Sequence, residues 1–67
     1  MRVYIVTGNR RQFHDCVRKL GLHEAAAVYV ERVEDLEADG FVVLYGDYAR
    51  NPAAPAAERL QRARRAA

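Results

Sequence analysis

Apolar positions change their spacing along this chain, and each change predicts an element. Val3, Tyr4, Ile5 and Val6 follow one another without alternation, the pattern of a strand covered on both faces, as strands of parallel sheets are. From Asn9 the period becomes helical. Phe13, Cys16, Val17 and Leu20 fall at i, i+3, i+4 and i+7, which is one helical face, and polar residues take the other side. Asn9 has an N-cap side chain, and Gln12 stands at the third helical position to complete a capping-box-like pair. Gly21 is a left-handed stop, and Leu22 beyond it closes a Schellman contact. The front of the chain therefore reads as a strand over residues 2–7, a Gly8-Asn9-Arg10-Arg11 turn, and an amphipathic helix ending near Gly21.

Residues 26–30 read as a second, shorter strand, and the Val33/Leu36 pair predicts one helical turn before Gly40. Phe41-Val42-Val43-Leu44-Tyr45 is a third strand, again without alternation, stopped by Gly46-Asp47. Asn51-Pro52 starts a last helix, with Pro tolerated in its first turn. Ala56, Ala57, Leu60 and Ala63 give that helix only a thin apolar stripe, and its end is expected to fray. The order β-α-β-β-α predicts a small α/β fold: a three-stranded, mainly parallel sheet with the first strand central, like the front half of a Rossmann or flavodoxin-like fold. Only about ten residues join the second and third strands, near the lower limit for a parallel connection, so an antiparallel third strand is the alternative. Residues 1–50 form the single predicted domain, and 51–67 an Ala/Arg-rich C-terminal helix.

Composition changes this picture in two ways. A chain of 67 residues buries only about 60% of its unfolded surface. Small scaffolds usually add disulfides, a metal or a partner subunit to such a core. Cys16 is the only cysteine, and with His14 and His23 alone beside it no zinc-ligand spacing exists. No metal or cofactor is called for, and self-association into a homo-oligomer is expected instead. The N-terminus lacks the pattern of a secretory signal, and no apolar run approaches the roughly 18 residues that span a membrane. With an unpaired cysteine, this points to a cytoplasmic protein with no membrane partner.

The net charge of +2 hides an uneven layout. Glu31, Glu34, Asp35, Glu37 and Asp39 crowd one stretch, while Arg59, Arg62, Arg64 and Arg65 crowd the tail. The acidic stretch lacks the ligand order and glycine position of a calcium loop. It reads as a solvated connection, or as a complement to the basic tail of a neighbouring subunit. The tail has no interleaved aromatic residue for base stacking and reads as a solvated or disordered terminus, with nucleic-acid contact through Arg59, Arg62 and Arg65, which recur at intervals of three, as the alternative.

The residues with most chemical interest are at the first turn. Backbone N–H groups at a helix start point outward and the helix dipole favours an anion there. Arg10 and Arg11 put two cations at that positive end, which costs about 0.3–1 kcal/mol each unless an anion or carboxylate compensates. In a parallel sheet with the first strand central, the turn faces the end of the third strand across the switch-point crevice. Thr7, Gly8, Asn9, Arg10 and Arg11, with Asp47 and Arg50 from the far side, are the candidate ligand-binding residues. The candidate ligands are a nucleotide or other phosphate and a nucleic-acid backbone. The competing reading is that Gly8 and Asn9 only make a tight turn and that the arginines are solvated or pair with nearby carboxylates. Neither ordinary nucleotide fingerprint, the P-loop or the Gly-x-Gly-x-x-Gly turn, is present.

Val6-Thr7-Gly8-Asn9 after an apolar strand resembles the opening of the inosine triphosphate pyrophosphatase family, where Thr-x-Asn and a following Lys bind nucleotide phosphates. Here the lysine position is Gln12, while Asp15 falls where that family carries an acidic residue. The same opening resembles SLOG-type nucleotide-binding domains. Either likeness covers about a dozen residues of much larger folds. Over most of its length, with the Thr-Gly-Asn start and the Val-Leu-Tyr-Gly-Asp-Tyr end of the third strand, the chain is similar to small uncharacterised proteins of actinobacterial phages. That resemblance implies a viral accessory protein in the host cytoplasm, with a host protein as one candidate partner.

Other chemistry is sparse. His14 reads as a solvated surface residue and His23 as a capping or surface residue. Cys16 lies on the apolar face, where a thiol behaves as a small hydrophobe. Tyr4, Tyr29, Tyr45 and Tyr48 read as half-buried strand residues or as anchors at an interface. Asp47 beside Arg10 or Arg11 is the one combination that suggests catalysis, and it is not a complete constellation. Three functions follow: a noncatalytic, self-associating protein that binds a phosphate-bearing ligand at the first turn, a structural or host-protein-binding module whose sheet edges and tyrosines make the contact, and a nucleic-acid-backbone binder.

Overall fold

The computed structural model describes residues 2–36 and 40–66. Three four-residue strands, β1 (Val3–Val6), β2 (Ala27–Val30) and β3 (Phe41–Leu44), form one sheet in the order β2-β1-β3. Both pairings are parallel, Val3 standing opposite Ala27 on one side and Phe41 on the other. The first strand is central as expected, and the short second connection gives a parallel third strand. Among the described residues of that connection lies one 3-10 turn, Val33–Asp35.

The helix α1 (Arg10–Leu20) lies against β1 and β2 on one face of the sheet. Asn9 caps its start, the Asn9 Oδ1 accepting from the Gln12 backbone N–H at 2.9 Å. Gly21, at φ 63°, ends it, and the Leu22 N–H reaches the Val17 carbonyl in the expected Schellman bond. Cys16 is fully buried on its inner face, while Leu20, expected to share that face, is 53% exposed. Lengths account for this. Eleven helical residues run about 16 Å against about 13 Å for a four-residue strand, so the last turn overhangs.

The second helix, α2 (Ala54–Ala66), packs on the other face against β3. It begins at Ala54, not directly after Asn51, and has Pro55 in its first turn. Asn51 instead makes a turn, its carbonyl and Oδ1 accepting from the N–H groups of Ala54 and Ala53. The core on this side joins Tyr4, Val6, Val30 and Val42 to Ala53 and Ala57, with Leu36, Tyr48 and Leu60 packed around them. Alanines dominate the helix side because the helix sits close to the sheet. Gly40 answers a similar need, for a Cβ there would collide with the Tyr4 ring.

Coverage is uneven. Phe41 is 55% exposed and Val43 only half-buried, although the apolar run of β3 predicts a strand covered on both faces. The cause is the position of α1, which spans β1 and β2 and leaves the same face of β3 open. Among the described residues, no helix is long and apolar enough to cross a membrane. Glu37 and Asp39 of the acidic stretch lie outside the described residues. So do the side chains of Arg64 and Arg65, on which the expectation of a frayed basic end falls.

Candidate functional site

The crevice between the first turn and the end of β3 forms as the topology requires, and the protein's own Gln12 fills it. The Gln12 Oε1 accepts from the backbone N–H of Gly8 at 2.9 Å and from that of Asp47 at 3.0 Å. Its Nε2 donates to the Asp47 Oδ2 at 3.1 Å. The expected reciprocal capping box is therefore replaced. Gln12 does not turn back to Asn9 because the facing loop offers it an acceptor and a second amide. Glycines make the approach possible. A Cβ on Gly8 would stand 2.7 Å from the Asp47 Cβ, and one on Gly46, which is at φ 61°, would stand 2.6 Å from the Gln12 Oε1.

The other candidate residues follow from this staple. Thr7 is buried and its Oγ1 donates to the Asn9 carbonyl at 2.6 Å. Asn9 is occupied as the cap. Arg10 turns away from Asp47 toward β2, with its Nη2 3.9 Å from the Glu31 carboxylate and its guanidinium 4.8 Å from the centre of the Tyr29 ring. Asp47 and Arg10, the pair considered for catalysis, are thus not brought together. Arg11 and Arg50 are exposed and form no ion pair among the described residues. The first turn of α1 carries no acidic residue.

One functional-looking residue escaped the sequence reading. Asn51 is buried, and its Nδ2 donates to the carbonyls of Thr7 at 3.0 Å and Val30 at 2.7 Å. It ties the ends of β1 and β2 to the start of α2. The signal available was an Asn-Pro pair, which turn chemistry explains equally well.

A second concavity runs along the outer flank of α1 beside β2. Arg10, Phe13, His14, Val17, Ala27 and Tyr29 bound about 350 Å³, and Glu24 closes its lower end. Its wall is aromatic, with Phe13 5.1 Å from Tyr29 and 5.3 Å from His14 between ring centres. On the opposite flank of α1, the Lys19 ammonium lies 5.5 Å from the Tyr45 ring centre, and its hydrogen bond with Tyr45 holds its pKa above the usual lysine value. Burial pushes the Cys16 thiol up, against the opposing pull of Lys19, so the thiol is protonated and shielded. His23 caps the 3-10 turn Glu24–Ala26, its Nδ1 accepting from the Ala25 N–H at 3.3 Å. Among the described residues, no group of three or more His, Cys, Asp or Glu is placed to hold a metal ion.

Comparison with protein-family models, with curated proteins and with solved structures finds no match to this chain.

Proposed function

We propose that this protein is a noncatalytic accessory module that binds another protein, and that the 7–11 turn serves the fold. The observation that carries this reading is Gln12. An anion in the switch-point crevice needs the N–H groups of Gly8 and Asp47, and both already donate to the Gln12 side chain. Displacing that amide would leave two donors and the Asp47 carboxylate to be satisfied by a ligand of the same charge as Asp47. Arg10 lies toward β2, beside Glu31 and the Tyr29 ring, and so does not serve the crevice. The only thiol is buried, and Asp47 forms no ion pair among the described residues, which speaks against covalent or acid–base work.

A second reading keeps an anion at the outer rim of the turn, on Arg11 and Arg50, because neither has a carboxylate among the described residues. Titration of the labelled protein with inorganic phosphate, nucleoside triphosphates and short DNA at low salt separates the two. The first reading expects the amides of residues 8–11 to stay unmoved through millimolar ligand. Saturable shifts there would sink it in favour of the second.

A further inference from the structure

The outer edge of β2 is open at one place, and that place adjoins the aromatic groove. Phe41 and Tyr45 donate their N–H groups to the Arg2 and Val6 carbonyls, so the even-numbered residues of β1 face β3. The odd-numbered ones therefore face β2. With Val3 opposite Ala27 and Ile5 opposite Tyr29, the parallel pattern has Val28 and Val30 bonding to β1, while Ala27 and Tyr29 turn their backbone groups away from the sheet. Both ends of this outer edge are closed. The Ala27 N–H donates to the Glu24 carbonyl, and the Glu31 N–H donates to the Asp35 Oδ2 at 2.9 Å. Between them, the Ala27 carbonyl and both backbone groups of Tyr29 point away from β1, and no hydrogen bond among the described residues occupies them.

The groove above that opening carries a charge pattern. Arg10, His14 and Arg18 recur every four residues along the flank of α1, about 6 Å apart. Arg10 and His14 line the groove beside Tyr29, and Arg18 lines its continuation toward Gly21 and Leu22. Alternate side chains of an extended strand recur at about 6.6 Å, which nearly matches that stripe. Arg10 already shows the contact such a strand would make. Its pairing with Glu31 is long, at 3.9 Å, and both side chains are more than half exposed, so an incoming carboxylate can replace Glu31 at little cost.

We propose that an extended, acidic segment of a partner protein adds to the β2 edge at Tyr29. It bonds to the backbone of Ala27 and Tyr29, and its side chains on the α1 side place carboxylates against Arg10, His14 and Arg18 over the Phe13 and Tyr29 rings. This is strand addition, in which the main chain supplies affinity and a neighbouring groove supplies specificity. A nucleic-acid strand fits less well, because the outward-facing backbone groups of Ala27 and Tyr29 call for a peptide backbone. The proposal rests on the protein-binding reading and names its surface.

The test is a titration of the ¹⁵N-labelled full chain with an eight-residue peptide of alternating Val and Glu. Its controls are the same peptide N-methylated on alternate backbone nitrogens, a Val/Lys peptide and a single-stranded oligonucleotide. Expected are saturable shifts and slowed exchange of the Tyr29 amide with the first peptide alone. The dissociation constant is expected to rise at least tenfold in the Arg10→Glu, Arg18→Glu double variant, whose unchanged spectrum elsewhere reports an intact fold. No response at Tyr29 through millimolar peptide, equal binding of the N-methylated or Val/Lys peptide, or a groove response to the oligonucleotide alone overturns the proposal. These failures differ from failure of the protein-binding reading, which shows instead as phosphate-dependent shifts at residues 8–11.

Discussion

The two outer strands face the same difficulty and meet it differently. Each presents one row of backbone groups to solvent, and an apolar strand with a bare edge invites pairing with another chain. On β3 the row is interrupted at its middle, where the Val42 carbonyl accepts from the Gln61 Nε2 of α2 at 2.9 Å. On β2 it is interrupted at both ends, by the Glu24 carbonyl and the Asp35 carboxylate, and stays open at Tyr29. A guard in the middle of a four-residue strand leaves no run long enough to pair with. Guards at the ends define a short docking length. The difference explains why the partner surface is placed on β2 even though β3 carries the more exposed side chain, Phe41.

The largest effect is expected where β2 is anchored. Asn51→Ala leaves the Thr7 and Val30 carbonyls without the Asn51 donor and the Ala53 N–H without its acceptor, all in buried surroundings. The loss is about 2–4 kcal/mol, a large share of the roughly 3–10 kcal/mol expected for a domain of this size. Urea unfolding measures it directly. A loss under about 1 kcal/mol would mean that β2 is held by its packing alone and that the comparison of the strands must be redrawn.

What the sequence makes legible divides along similar lines. The strand β1, the helix α1 with both caps, and the central place of β1 follow from local patterns, because apolar period, Asn9 and Gly21 each act within a few residues. The partners of Gln12 and Asn51 lie 35 and up to 44 residues away, and nothing local distinguishes these amides from surface ones. The anion reading of the turn failed to foresee Gln12 for the same reason. A glutamine at the third position of a helix has a well-known local use as a capping-box residue, and only the tertiary approach of Gly46 and Asp47 gives it a better one. The exposure of Phe41 was equally hidden, since the apolar run of β3 does not say which strands a single helix will cover.

Next in size is the staple at the far end of β3. Gln12→Ala removes three hydrogen bonds around a half-buried side chain and is expected to cost about 1–2 kcal/mol. At 4–8 °C per kcal/mol for a domain of this length, the melting temperature falls by roughly 4–16 °C. If the variant instead gains phosphate affinity at residues 8–11 while keeping its fold, Gln12 is a plug in an anion site and not only a staple. Gln61→Ala is smaller in stability, about 0.5–1.5 kcal/mol, but sharpens the contrast most clearly. It bares the middle of β3, so sedimentation should show stronger concentration-dependent association than in the parent chain. An unchanged sedimentation profile would remove the guarding role assigned to Gln61.

The smallest effect concerns the upper guard of β2 and is read by pH. The Asp35 carboxylate accepts from the N–H groups of both Glu31 and Arg32, and these bonds hold its pKa below the usual aspartate value, with burial opposing weakly and the Arg32 charge assisting. A carboxyl whose pKa is lowered on folding contributes stability that is fully present above its unfolded value, about 3.9, and is lost as pH falls through the folded one. The guard therefore holds at neutral pH and opens only in acid below about pH 4. Hydrogen exchange should show the Glu31 amide losing protection there while Tyr29, already open, changes little. In Asp35→Asn, the Glu31 amide should lose that pH dependence. Equal acid sensitivity at Tyr29 and Glu31 would mean that β2 frays as a whole, and the distinction between its closed ends and open centre would fall.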